Sequence, residues 1–229
     1  MFALTEVEPP TLHTDHWEPS WQASLFGLDE PAIDPSFTGM ARVDLDHASW
    51  LDHLPGWLAG SDEVFAELVA RLPWRQKRVP MYGRMLDEPR LTWWWQDSGD
   101  DAEPEPLPVF TDARLALTRR YGKPFDSIGA NYYRDGRDSV AWHGDRIRHR
   151  LERPVVAIVS VGAPRPFLLR PRGGGPSRAY LLGQGDLLVM GGDTQHAWEH
   201  CVPKVAVAGP RLSITFRHGT DDAGDPVRR

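Results

Sequence analysis

Residues 211–217 read Arg211-Leu212-Ser213-Ile214-Thr215-Phe216-Arg217 and alternate polar with apolar side chains without a break. A period of two belongs to a strand that rests one apolar face on a core. The polar face then carries Arg211 and Arg217 together, because six is an even spacing. Working back from this strand, seven further runs are short, rich in apolar residues and bounded by turn signals. They are Ser127–Arg134, Val140–His143, Val155–Gly162, Pro166–Arg170, Arg178–Leu182, Asp186–Met190 and His196–Val202. Gly173-Gly174-Gly175-Pro176 and Gly183-Gln184-Gly185 are tight connections. No helix follows the glycine run, so it reads as a hairpin turn and not as a phosphate loop.

Two helical patterns precede these strands. Ser61 is the expected N-cap of the first, with Asp62 and Glu63 in its first turn. Val64, Phe65, Leu68, Val69 and Leu72 follow at helical spacing, and Pro73 stops the run. Thr111 is the expected cap of the second, which spans 112–121 and is closed by Gly122 and Pro124, with Arg114, Arg119 and Arg120 facing solvent. Val43 to Trp50 predicts one more strand, and Asp97–Pro108 a surface loop. Two helices and then eight short strands predict a mainly β (α+β) protein with flanking helices around a double-stranded β-helix, or jelly-roll, core.

Composition sets bounds on this. A chain of 229 residues with 41% hydrophobic side chains can bury one sizeable core. Twenty-one glycines and 21 prolines favour turns over long helices. A single cysteine, Cys201, excludes an internal disulfide framework and, with no leader or apolar span of about 18 residues visible, predicts a cytoplasmic, non-membrane monomer. The net charge of −6 is uneven: residues 1–70 hold 13 acidic side chains against Arg42 alone, which leaves the rest of the chain net positive and able to hold an anionic partner such as nucleic acid. Residues 1–40, acidic and proline-rich with Trp17, Trp21 and Phe26, predict an arm laid across a single domain of residues 41–229.

Residues 74–95 interleave basic and aromatic side chains: Trp74, Arg75, Lys77, Arg78, Tyr82, Arg84, Arg90 and Trp93-Trp94-Trp95. Such a stretch suits phosphates and bases. A hairpin with its tryptophans in the core fits the triplet equally well, because one face of any strand there is buried.

The chemistry sits in an ordered set: Asn131-x-Tyr133, His143-x-Asp145, His200, Arg211 and Arg217. A histidine and a carboxylate two apart in a strand share a face, and His200 is a third ligand. Two imidazoles and one carboxylate hold Fe(II) on one side and leave positions for a bidentate 2-oxo acid and O2. A planar guanidinium is suited to the far carboxylate of such an acid. His196, four before His200, is a competing ligand candidate. Cys201, next to His200, is expected to face away from a metal as a small buried hydrophobe.

Asn131-Tyr132-Tyr133-x-Asp135-Gly136, His143-Gly144-Asp145, Pro166–Arg170, Asp186–Met190, Trp198-Glu199-His200 and Pro210–Arg217 together resemble the AlkB family of Fe(II)/2-oxoglutarate-dependent dioxygenases. The resemblance implies that His143, Asp145 and His200 ligate iron and carry the catalysis. It implies that Arg211, helped by Tyr133, pairs with the far carboxylate of 2-oxoglutarate, while Arg217 and Asn131 hold its near end. The implied activity is oxidative demethylation of alkylated nucleobases of the 1-methyladenine and 3-methylcytosine type in DNA or RNA, releasing formaldehyde, succinate and CO2. Residues 74–95 resemble the family's nucleotide-recognition lid more loosely. Tyr82 and one of Trp93 or Trp95 are expected to stack on the base, and Lys77 and Arg78 to contact the strand. One departure stands out: no acidic residue follows Asp145 until Glu152, where many relatives place a base-contacting acid sooner. An oxygenase for a protein or small-molecule substrate is therefore the alternative. A non-enzymatic jelly-roll binding protein would need the whole ligand set to be coincidental.

Overall fold

The computed structural model describes residues 30–81, 83–99, 103–145 and 151–219. The chain begins with β1 (Ala32–Ile33), β2 (Ala41–Asp44), β3 (Ser49–Leu54), β4 (Leu58–Ala59) and helix α1 (Ser61–Arg71). A hairpin of β5 (Arg78–Met81) and β6 (Arg84–Asp87) leads to β7 (Leu91–Gln96) and helix α2 (Pro108–Tyr121). Then come β8 (Phe125–Tyr133), β9 (Val140–His143), β10 (Val156–Gly162), β11 (Arg165–Pro171), β12 (Arg178–Leu182) and β13 (Asp186–Gly192). A single turn, α3 (Thr194–Ala197), precedes β14 (Trp198–Val202) and β15 (Arg211–His218).

Most of the strands form two facing antiparallel sheets, ordered β2-β3-β13-β10-β15-β8-β7 and β12-β11-β14-β9, beside the two-stranded pairs β1-β4 and β5-β6. From β8 onward the chain crosses repeatedly between them, which is the expected double-stranded β-helix. Strand β10 shows why the sequence folds this way. It reads Val-Ala-Ile-Val-Ser-Val-Gly and is buried at every position, because both faces of the larger sheet are covered. Val156 and Ile158 point between the sheets and pack with Phe167, Leu169, Leu188 and Met190. Ala157, Val159 and Val161 point the other way and pack with Phe65 and Leu68 of α1 and Phe110 and Leu117 of α2. Leu212, Ile214 and Phe216 of β15 join this outer layer. Phe110 meets Phe216 edge-on at 5.9 Å. Each such ring contributes about 1.5–3 kcal/mol through burial.

The structure corrects several boundaries. Gly60, in the left-handed region at φ 63, caps α1 in place of Ser61, and no side chain bonds the helix end. Helix α2 starts at Pro108, where a proline costs no hydrogen bond. Thr111 lies inside it and bonds Glu105 Oε2 at 3.1 Å. Arg114 is half-buried and not free in solvent: its Nε donates to Glu105 at 2.7 Å and its guanidinium lies 5.7 Å from the Trp95 ring centre. The strand expected over Val43–Trp50 is two strands with a turn in which Asp46 accepts the N–H groups of Ala48 and Ser49. His196 belongs to α3 and not to a strand. Of residues 1–40, those from 30 onward are described: β1 pairs with β4, and Phe37 is buried against Trp57 at 5.6 Å. Trp17, Trp21 and Phe26 lie outside the described residues.

Candidate active site

Strand pairing brings distant residues together. On the smaller sheet His143 lies opposite His200, with a bulge one step further along. The two imidazoles are 4.3 Å apart, centre to centre, and His200 also lies over Phe167 at 5.1 Å. On the outer side of the same sheet Arg170 donates to Glu199 at 2.6 Å and stacks on Trp142 at 3.9 Å, which ties β9, β11 and β14 together behind the site. Cys201 is buried on that outer side, and burial raises its thiol pKa.

Ligand-type atoms of His143, Asp145 and His200 all lie within 4.8 Å of one another. Each is prepared for a cation. The His143 Nδ1 faces the Ala141 carbonyl at 2.8 Å, which leaves Nε2 as the free ligand atom. Burial holds His200 neutral, with its pKa lowered to about 4. Burial would raise the Asp145 carboxyl, but the Arg217 guanidinium outweighs it and leads the charges that hold the group at about 2. Asp145 Oδ1 takes a hydrogen bond from Arg217 at 2.8 Å, whereas its buried Oδ2 has no partner. An ionised buried oxygen without a donor is costly, and a divalent cation held with the two imidazoles would satisfy it. The donor set fits Fe(II).

A second prepared place lies along the larger sheet. Arg211 sits opposite Tyr133 and Ser213 opposite Asn131, so these side chains share the inner face. Arg211 is fully buried. One of its nitrogens donates to Ser160 Oγ at 2.6 Å, and its Nε and other terminal nitrogen have no partner. Burial lowers its pKa to about 10, so it keeps its charge at neutral pH. Its guanidinium is 5.5 Å from the centre of the Tyr133 ring. An unpaired buried guanidinium fits an anion, and a carboxylate matches its fork. Nearer the metal ligands, Arg217 Nε is likewise buried without a partner. Asn131 Oδ1 accepts from Arg90 at 3.0 Å.

The tryptophans are placed differently from the expectation. Trp93 and Trp95 pair with Ala130 and Ile128, on the side of β8 that faces the helices. Trp95 is 7% exposed within that core, and Trp93 packs against it. The alternate position, Trp94, pairs with Gly129 on the inner face. A Cβ at 129 would stand 3.0 Å from two Trp94 ring carbons, so glycine lets the indole lie on the strand. Trp94 stands 5.5 Å from the Arg217 guanidinium, and its buried Nε1 has no partner. Arg78 opens the β5–β6 hairpin and Lys77 immediately precedes it; the hairpin is a separate small sheet rooted on β7 through the backbone bonds between Arg75 and Thr92. Arg78 is exposed and faces Asp87 at 3.4 Å. Tyr82 lies outside the described residues.

Sequence reasoning missed Trp94, Arg90 and Ser160, and also Gln195, whose Oε1 accepts the Asp145 backbone N–H at 3.3 Å. For Trp94 the signal was Gly129 of neighbouring β8, whose missing Cβ leaves room for one indole on that face once the two strands are paired.

Residues 51–217 match the family described as the 2OG-Fe(II) oxygenase superfamily. The chain belongs to that superfamily, within its AlkB branch. It is 33% identical to the alpha-ketoglutarate-dependent dioxygenase alkB homolog 3 of Mus musculus, over 83% of this chain and 70% of that one. It is 30% identical to the DNA oxidative demethylase ALKBH2 of Arabidopsis thaliana, over 85% of this chain and 74% of the other. The solved structure of OsALKBH1 shares the fold, with a TM-score of 0.50 at 17% identity, covering 78% of this chain and all of that one. Membership makes this AlkB-type protein a dioxygenase that uses Fe(II), 2-oxoglutarate and O2, and His143, Asp145 and His200 form a site able to hold the metal.

Proposed function

We propose that this dioxygenase removes methyl groups from alkylated nucleobases of the 1-methyladenine and 3-methylcytosine type in DNA or RNA. The observation that carries the reading is Trp94: a large aromatic side chain on the inner face, next to Arg217 and through it to Asp145, with an indole N–H left for a partner. A flat base is a natural partner for such a surface. The relatives named as DNA oxidative demethylases support the same substrate class, as do Arg75, Arg78 and Arg84, exposed on and around the neighbouring hairpin.

His143, Asp145 and His200 would hold Fe(II), which when bound supplies the activation of O2 coupled to decarboxylation of 2-oxoglutarate. Arg211 takes the far carboxylate of that acid and, being already buried and charged, loses an unmet desolvation cost as it does so. Arg217 does two jobs: it fixes Asp145 Oδ1 and keeps Nε free for the acid's near end. Asn131 is oriented by Arg90 toward the same end. Trp94 would lie against the base plane, a place that a base can take only after it has left its own stack. The balance is one 2-oxoglutarate, one O2 and one N-methyl base consumed for one succinate, one CO2, one formaldehyde and one restored base.

The test is mass spectrometry of a short single strand carrying one 1-methyladenine or 3-methylcytosine, incubated with protein, Fe(II), ascorbate and 2-oxoglutarate. Loss of one methylene's mass, absent with His143→Ala, is the expected result. Succinate formation with an unchanged oligonucleotide would favour a protein or small-molecule substrate.

A further inference from the structure

The ligand loop is not held in the way its sequence spacing suggests. Strand β9 ends at His143, so Asp145 stands beyond the sheet and strand alternation does not aim its carboxylate. Two side chains from other elements occupy the gap. Gln195 of α3 is 3% exposed and its Oε1 accepts the Asp145 backbone N–H at 3.3 Å, while its Nε2 points at Met190 Sδ at 3.8 Å. Arg172, just past β11, donates Nε to the His196 carbonyl at 2.9 Å and Nη2, a terminal guanidinium nitrogen, to the Gln195 carbonyl at 3.4 Å. The same Nη2 lies 2.3 Å from where a Cβ on residue 144 would stand, and the Gln195 carbonyl oxygen 3.1 Å from it. Glycine at 144 therefore lets the guanidinium lie across the peptide that joins the two ligands.

We propose that Gln195 and Arg172 form a brace that positions Asp145 for the metal. Gln195 fixes the peptide whose side chain is the carboxylate ligand, and Arg172 pins both α3 and the Gly144 turn. The inference rests on His143, Asp145 and His200 being the metal ligands. A carboxylate ligand needs its direction fixed to within about 10–20°, and outer partners of ligands commonly set metal affinity by about 10–100-fold. Nothing else in the described residues bonds this N–H from so far away in sequence: 50 residues separate the two partners.

The experiment is an anaerobic titration of the full chain with Co(II), read by heat and by the visible spectrum, beside thermal midpoints of the metal-free proteins. Gln195→Met keeps the side chain's length and puts a methyl group, which cannot accept, where the amide oxygen stands. It is expected to weaken Co(II) binding about 10–100-fold and to alter the Co(II) spectrum, with a thermal midpoint close to that of the parent. Gln195→Glu, which keeps an acceptor oxygen there, is expected to restore the affinity. Arg172→Met is expected to weaken binding too, and the double variant no further than the worse single one, because the two act as one unit. If Gln195→Met does not fold, Arg172→Met alone decides the matter. Parental affinity and spectrum in the variants would overturn the brace. So would a loss that merely tracks the thermal midpoint and that Gln195→Glu does not recover. Failure of the parent protein itself to bind Co(II) would overturn the ligand assignment and the brace with it.

Discussion

Strands β15 and β7 border the same neighbour, β8, and end with opposite degrees of legibility. Strand β15 alternates polar and apolar residues, so its inner face (Arg211, Ser213, Thr215, Arg217) and its outer face (Leu212, Ile214, Phe216) are fixed by the sequence pattern before any pairing is known. Strand β7 carries Trp93, Trp94 and Trp95 in a row. Indoles pack well on either side of a sheet, so the run holds no information about its own facing. Its orientation comes from β8, where Gly129 offers a bare stretch of backbone for one indole while Ala130 and Ile128 turn the other two toward the helices. A polar pattern declares a wall of the site by itself, whereas an aromatic run borrows its direction from the strand beside it.

Substitutions on the two walls should differ in kind. The largest effect on ligand binding is expected at Arg211, whose buried charge has two unpartnered nitrogens. Arg211→Met should weaken 2-oxoglutarate binding by about 100-fold or more, the scale of losing a buried charge-assisted pair, with Fe(II) affinity kept; equilibrium titration of the acid against the metal-loaded protein checks it. On the tryptophan wall, Trp95→Ala should cost about 3–5 kcal/mol of stability through the cavity it leaves. Its turnover per folded molecule should persist, as read by denaturant unfolding beside active-site titration. Trp94→Ala should do the reverse, costing about 1–3 kcal/mol of affinity for a methylated single strand with a smaller change in unfolding midpoint. If Trp93→Ala or Trp95→Ala gave the binding defect and Trp94→Ala did not, the register of β7 would be wrong.

The smallest effect is expected at Asp46. Burial nudges its carboxyl up, but the Trp198 indole N–H at 2.7 Å and the Ala48 and Ser49 amides hold it lower, at about 2. A carboxyl lowered in the folded state stabilises the fold above its ordinary pKa of 3.8 and loses that contribution as pH falls toward about 2. Thermal midpoints of the parent should fall across that window, and those of Asp46→Asn should fall less steeply.

Most of the jelly roll was legible because its eight strands are short, apolar and bounded by glycine or proline. The misreadings have local causes. Ser61 and Thr111 are good capping types, yet Gly60 reaches the left-handed cap of α1 and Pro108 starts α2 a turn earlier, neither of which a capping preference ranks. His196 fell to α3 because one helical turn leaves no periodicity to detect. In the candidate site, His143, Asp145, His200, Arg211 and Arg217 stood out in the sequence because their chemistry is unusual for strands of a core. Gln195, Ser160 and Arg90 did not, since a glutamine, a serine or one arginine among many acquires a role only from the neighbour it meets in three dimensions.

The most direct test of the account is stoichiometry on one substrate. Formaldehyde and succinate should be measured together, in the same reaction, from a single strand carrying 3-methylcytosine, with Fe(II), O2 and 2-oxoglutarate supplied. Equal amounts of the two products are expected, both abolished by His143→Ala and both reduced by Trp94→Ala. Succinate without formaldehyde would contradict this, leaving an oxygenase whose acceptor is not an N-methyl base.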